Sequence, residues 1–436
     1  MLTRESLRRY FLKGCKVPGD LKIGVEWEKI GVYKNSGLAI RYSSTRGVSA
    51  ILKGLAARYA WKPVFSDGKP IALKKNGASI TLEPGGQIEL SGRKARALHE
   101  NASELFSHLK EIKQVSDPLG ISWLGTGVQP ISHASKIEWV PKKRYTIMRR
   151  YMARTGTLSH RMMKETASIQ VSLDYTDEKD AIQKLRLATK LAPFFTAIFS
   201  NSPVSGGALN GFYSERAFIW RHTAPERTGL ITESLKNDFS FDDYVECALR
   251  TPMIFIIRGQ RWIPMKGMTF GNFMQKGRGG EWPTLKDWEL HLTTLFTECR
   301  LKTYLEIRGA DCQKTAMGLS VPAFIKGLFY DALALGRSWE LVADLSLKEL
   351  ENLVREVPRC GLKPSLRGRP IAGIAKKLVL NAREGLERLG RRDPKLKTDA
   401  EYLSPLEKVI VEGKSPADEI IAGFRAQKNL IQLLSL

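Results

Sequence analysis

The chain has 436 residues and carries 69 Lys and Arg against 45 Asp and Glu, a formal net charge of +24 with an isoelectric point near 9.8. With 43% hydrophobic and 26% charged residues its composition is that of a folded globular protein, which excludes wholesale disorder, collagen-like repeats and a coiled coil. The positive excess favours anionic partners, from nucleic acid and membrane surfaces to nucleotides and carboxylates, without choosing among them.

From the N-terminus, residues 1–16 are basic but lack a continuous apolar core, so no removable leader is expected, and folded-type sequence is expected to begin at Leu21. Alternating or β-branched segments predict strands at 22–27, 79–82, 87–90, 168–174, 252–258 and 301–307. Apolar residues recurring every three or four positions predict helices at 93–115, 178–201 and 320–335. No segment reaches the roughly 18 apolar residues of a membrane span; the nearest, 187–199, is interrupted by Lys190 and Pro193. The five cysteines are an odd number with no C-x-x-C pair, which argues against a disulfide scaffold and for a reducing compartment.

Strands separated by helices of irregular length predict an α+β fold. With no repeat or linker, the expectation is a single catalytic domain over 1–436 whose part beyond about residue 320 is mostly helical. In that part Ile374, Leu378, Ala382, Leu386 and Leu389 form an apolar stripe, with Lys376, Lys377, Arg383, Arg388, Arg391 and Arg392 around it. The segment lacks stacking aromatics, so a solvated surface helix is expected and no specific nucleic acid partner.

Four segments carry candidate chemistry. Glu26 and Glu28 stand two apart in a strand and share a face; they are either solvated or neutralised by a hard divalent cation. Glu83-Pro84-Gly85-Gly86-Gln87-Ile88-Glu89 places three polar groups around a turn that lets a ligand approach backbone. Tyr304, Glu306 and Arg308 alternate with Leu305 and Ile307, giving an acid and a guanidinium on one face, which is either a structural pair or a place where metal and phosphate meet. Gln170, Ser172 and Asp174 alternate likewise. Together these strands predict a sheet face holding Mg²⁺ ions and a nucleotide; with no G-x-x-x-x-G-K-[ST] or G-x-G-x-x-G motif, the phosphates would be held by metals and arginines.

The strings IGVEWEKIGVY, SITLEPGGQIELSG, TGTLSHRMMKETASIQVSLDY, NSPVSGGALNGFYSERAFIW, ERTGL and RLKTYLEIRGAD, in this order, resemble the glutamate–cysteine ligases of the plant and proteobacterial class, and the resemblance runs from about Ile23 to Ile420. It implies a glutamine-synthetase-like fold with a curved, mainly antiparallel sheet. It also implies a reaction: ATP phosphorylates the γ-carboxylate of L-glutamate, and the amine of L-cysteine displaces phosphate, the first step of glutathione biosynthesis. Glu26, Glu28, Glu83, Glu89 and Glu306 would hold Mg²⁺, Gln87, Gln170 and Arg308 would assist ATP, Glu28 and Arg308 would be catalytic, and Arg144, Arg227 and Trp220 would contact the substrates.

Departures from the family pattern fall at Trp27, at Arg221-His222-Thr223, at 235–238 and at Cys312-Gln313-Lys314-Thr315, which puts the acceptor pocket at issue. Met265 stands where plant members have a cysteine, so no plant-type redox hairpin is expected, and a bacterial cytoplasmic enzyme, monomeric or homodimeric and without a membrane partner, is the expectation. The alternative within the fold is a ligase joining glutamate to another amine. The alternative outside it is a degenerate ligase kept as a polyanion binder, which would have no reason to retain the carboxylates.

Overall fold

The computed structural model describes residues 2–390 and 398–436. Its centre is a nine-stranded sheet with every neighbouring pair antiparallel. The strands are β1 (Ile23–Tyr33), β2 (Lys62–Ser66), β3 (Lys69–Lys75), β4 (Ala78–Leu82), β5 (Ile88–Ser91), β6 (Ile121–Leu124), β7 (Ser168–Leu173), β8 (Cys299–Leu301) and β9 (Leu305–Asp311). Their order is β8-β9-β7-β1-β5-β4-β3-β2, with β6 pairing the far half of β1 from Ile30 to Tyr33. The long β1 is central because nearly all of it is buried, so it serves as the strand on which both halves of the sheet are registered.

The helices of the first half are α1 (Arg4–Leu12), α2 (Val48–Tyr59), α3 (Leu98–Ser116), α4 (Lys143–Met152), α5 (Ser159–Glu165), α6 (Glu178–Ile198) and α7 (Glu215–Arg221). The helix Thr315–Tyr330 lies behind β1 and β7, where a Cβ on Gly318 would meet Ile169 and Trp27. Trp27 therefore belongs to the core on the reverse of the sheet, together with Val25, Ile169 and Val171. Beyond Asp311 the described elements are helices, apart from a two-residue hairpin at Ser365–Leu366 and Arg369–Pro370.

Four expectations change. The chain folds well before Leu21: Thr3 caps α1 by accepting from Ser6 N at 3.1 Å, and Leu7, Tyr10 and Phe11 are buried. The segment 252–258 forms a strand, Phe255–Arg258, that pairs only with Arg261–Pro264 and stays off the main sheet. The segment 301–307 is not one strand, because residues 302–304 turn the chain from β8 into β9. The helix expected over 320–335 breaks at Asp331, whose carboxylate accepts from Ala334 N and starts the next helix, Ala332–Glu340. The basic helix Ala372–Leu389 forms with Leu378, Ala382 and Leu386 buried and Lys376 and Lys377 exposed; Arg391 and Arg392 lie outside the described residues.

Candidate active site

One face of the sheet forms the floor of a cavity of about 290 Å³. Strand alternation turns Glu26 and Glu28 of β1 towards it and Trp27 and Lys29 away. Register then decides the neighbours: Glu28 stands opposite Glu89 on β5, and Glu26 opposite Gln170 on β7. The β4–β5 turn adds Glu83, and its tightness has a backbone cause. Gly86 has φ +89°, and a Cβ on Gly85 would collide with the carbonyl oxygen of Lys164 near the end of α5. The opposite wall comes from Lys142, Arg144 and Tyr145 at the start of α4, Met162 and Met163 of α5, and Arg216 and Trp220 of α7, with Arg300 and Arg308 entering from β8 and β9.

The cavity is polarised, with acids along β1 and the β4–β5 turn and guanidinium groups along β8, β9 and the helical wall. Like charges directly across an antiparallel pair repel, and here they are desolvated as well. Burial, then Glu83 and Glu89, pushes the Glu28 carboxyl up to about 8. Burial followed by Glu89 and Glu306 raises Glu26 well above the carboxylate range, and burial followed by Glu89 raises Glu83. Glu28 keeps a fixed orientation because it accepts from Ser168 N at 2.6 Å and from Gln170 Nε2 at 2.9 Å. Gln170 in turn accepts from Arg308 Nη1, so one amide couples the acid to the guanidinium. Glu89 accepts from Thr81 Oγ1 at 3.0 Å and Ser91 Oγ at 2.6 Å.

Three of the residues assigned from sequence lie elsewhere. Glu306 is fully buried off the cavity wall, with Arg300 Nε at 2.6 Å and Nη2 at 2.5 Å from its Oε2. Burial alone would raise its carboxyl, but Arg300, then Lys302 and Arg308, overcome this and hold it at about 2. Arg300 dominates, since burial outweighs the gain at Lys302 and Arg308 and lowers both. Gln87 spends its amide inside the turn, accepting from Gly85 N at 3.0 Å and donating to Thr166 O at 2.8 Å. Arg227 is not in this cavity: its guanidinium donates to Thr294 O, Pro252 O and Tyr151 Oη, tying together three segments of backbone and loop. The remaining candidates, Glu26, Glu28, Glu83, Glu89, Arg144, Gln170, Trp220 and Arg308, do share the cavity.

The sequence reading missed Arg216, Arg300, Lys142 and Ser168, all of which line it. Arg216 is four residues before Trp220 on α7, a spacing that puts both on one helix face, and its guanidinium lies 5.8 Å from the Trp220 ring. Arg300 had no such signal, because its position opposite Glu306 depends on the turn at 302–304. The family departures do not reach the cavity: Trp27 is in the reverse core, Arg221 donates to Val354 O, and the Cys312 thiol donates to Glu28 O at 2.9 Å from behind the strand.

Among the described residues no group of three or more His, Cys, Asp or Glu is arranged to hold a metal alone; of the five carboxylates expected at a cation, Glu26, Glu28, Glu83 and Glu89 line the cavity and Glu306 does not. Mg²⁺ does not need such a group, since it keeps several waters and binds through one or two carboxylates plus phosphate oxygens. The mutually repelling pairs Glu28–Glu89 and Glu26–Glu89, all hard oxygen donors on the cavity wall, fit it. The buried Nε of Arg144, Nε of Arg216 and Nε1 of Trp220 have no partner, so donors on the cationic side await an acceptor.

The model of the family described as Glutamate-cysteine ligase family 2 (GCS2) matches residues 22–433. The chain is 40% identical over 430 residues to the chloroplastic glutamate–cysteine ligase of Arabidopsis thaliana, covering 98% of this chain and 80% of that one. It is 40% identical over 423 residues to the chloroplastic glutamate–cysteine ligase B of Oryza sativa subsp. japonica, covering 96% and 84%. Among solved structures it resembles the glutamate–cysteine ligase of Francisella tularensis in complex with AMP, with a TM-score of 0.54, 12% identity, and coverage of 96% and 88%. That likeness bears on the fold alone, and the mainly antiparallel α+β arrangement expected is the one found, with the sheet open. The plant relatives are chloroplastic by name, and this overturns the expectation of a cytoplasmic enzyme.

Proposed function

Because the chain belongs to glutamate-cysteine ligase family 2, we propose that it joins the γ-carboxylate of L-glutamate to the amine of L-cysteine at the expense of ATP, as one catalytic unit. The observation that carries this reading is the polarised cavity, where Glu26, Glu28 and Glu89 face Arg144, Arg216 and Arg308. A carboxylate is a poor electrophile until one oxygen becomes a phosphate leaving group, so the site must bring two anions together. Arg308 donates to Gln170, which orients it on the cavity wall; there its guanidinium would offset the charge that develops on the transferring phosphoryl group. Arg144 and Arg216 have unpartnered donors for a planar carboxylate, and Trp220 Nε1 is a third unpartnered donor beside them. Mg²⁺ held by Glu28 with Glu89 or Glu26 would neutralise the phosphates during transfer. The amine of cysteine then displaces phosphate, giving γ-glutamylcysteine, ADP and inorganic phosphate.

The binding of AMP by the Francisella relative supports the nucleotide half of this reading. Purified enzyme with glutamate, ATP and Mg²⁺ is offered cysteine and a panel of other amines, and peptide and phosphate are measured. One phosphate per γ-glutamylcysteine, with cysteine preferred, is expected. Preference for another amine would favour a sister ligase of the same fold, and no amine-dependent phosphate release would overturn the ligase reading.

A further inference from the structure

Lys29 is 1% exposed, on the reverse of β1 from the acids. Its ammonium donates to Trp27 O at 3.1 Å and to Ile88 O at 3.4 Å. These two carbonyls have a particular place in the chain: one belongs to the peptide unit that leads into Glu28, the other to the unit that leads into Glu89. Glu28 and Glu89 are the facing acids of β1 and β5. A third contact from the same side, the Cys312 thiol on Glu28 O, fixes the next carbonyl along β1. A lysine buried this deeply is costly, and burial pushes its ammonium down to about 8. A sheet needing only a packed reverse face would be served better by an aliphatic residue, as at Val25 and Ile169.

We propose that Lys29 is a positioning residue for the cation site, its ammonium clamping from behind the sheet the two peptide units that carry Glu28 and Glu89. Two facing carboxylates repel and would splay or twist their strands apart; a donor that spans both strands one residue before each acid opposes that motion. Mg²⁺ demands near-ideal geometry at short oxygen distances, so a small splay costs affinity. The proposal rests on the reading of Glu28 and Glu89 as cation ligands. It also has a sign that separates it from a simple charge effect: removing a positive charge near a dication site would tighten binding, whereas loss of the clamp weakens it.

The test is direct Mn²⁺ binding to the full chain, followed by the electron paramagnetic resonance of free Mn²⁺ with no turnover, together with the Mg²⁺ dependence of activity. Lys29→Met is compared with Lys184→Met, which removes a lysine of similar burial that donates to Asp174 O and Asp180 and lies outside the cavity. Lys29→Met is expected to weaken Mn²⁺ at least about tenfold and raise the half-saturating Mg²⁺ in parallel, while Lys184→Met leaves both within about twofold. Lys29→Gln keeps a donor of shorter reach and should fall between wild type and Lys29→Met; if the methionine variant does not fold, a shift above about threefold in Lys29→Gln supports the clamp. Unchanged or tighter Mn²⁺ binding in the Lys29 variants, or an equal loss in Lys184→Met, overturns the proposal. A wild-type enzyme that binds no Mn²⁺ overturns the cation reading, and the clamp with it.

Discussion

Glu306→Gln separates a structural acid from a metal-binding one. The carboxylate is fully buried and pairs with Arg300 through two guanidinium nitrogens. Its carboxyl is held at about 2 against an ordinary 4.5, so the folded state favours the ionised form. At about 1.4 kcal/mol for each tenfold change in proton affinity this corresponds to about 3 kcal/mol, in line with the cost of breaking a buried pair and leaving Arg300 uncompensated. The contribution is present in full above pH 4.5 and is lost as pH falls through about 2, so it operates throughout the neutral range. For 436 residues, an unfolding entropy of about 0.9 kcal/mol/K converts it to a Tm lower by about 3–4 °C. Urea unfolding and calorimetry at pH 7.5 measure the loss, and Mg²⁺ titration of activity in the folded variant measures the role. The expected result is lower stability with the half-saturating Mg²⁺ within about threefold of wild type. Wild-type stability together with a sharply raised Mg²⁺ requirement would refute the argument and return Glu306 to the cation site.

Glu28→Gln should behave in the opposite way, losing at least about a hundredfold in kcat while gaining or keeping stability, because it removes one of several repelling acids; near-normal turnover would exclude Glu28 from the chemistry. Since the Glu28 carboxyl is raised to about 8 in the folded chain, the native state holds a proton that the unfolded state has lost between about pH 4.5 and 8, and stability without metal falls as pH rises through that window. The Tm gain on adding Mg²⁺, which competes with that proton, should therefore be larger at pH 8.5 than at pH 6; differential scanning fluorimetry at the two pH values would reveal an equal or reversed gain. Arg227→Lys should lower the Tm, because a point charge cannot donate to Thr294 O, Pro252 O and Tyr151 Oη together, yet change the KM for glutamate by less than about threefold; a large KM effect at unchanged Tm would place Arg227 with the substrate.

The local pattern of the chain determines which face each strand residue takes, because side chains alternate with a period of two whatever surrounds them. Glu26 with Glu28 on one face of β1, and Gln170 on the same face of β7, were legible in this way. The Pro84-Gly85-Gly86 turn was legible from its residue types, but what comes close to Gly85 is the Lys164 carbonyl of another segment and not the ligand expected there. Partnership across elements was not legible, because it depends on register and on where turns fall. Residues 301–307 read as one strand, and only the turn at 302–304 brings Arg300 opposite Glu306 and takes that acid off the cavity wall. Arg227 has the composition of a substrate ligand, yet in the fold its donors meet backbone carbonyls first. Lys29 looks like an ordinary surface lysine in the string EWEKIG, and it is buried because the reverse face of β1 is packed over, with the helix Thr315–Tyr330 against β1 and the Cys312 thiol on the adjoining Glu28 O. A side chain's direction is a property of its own backbone, whereas its partner is a property of another segment's position, and that position is set by the packing of the whole sheet.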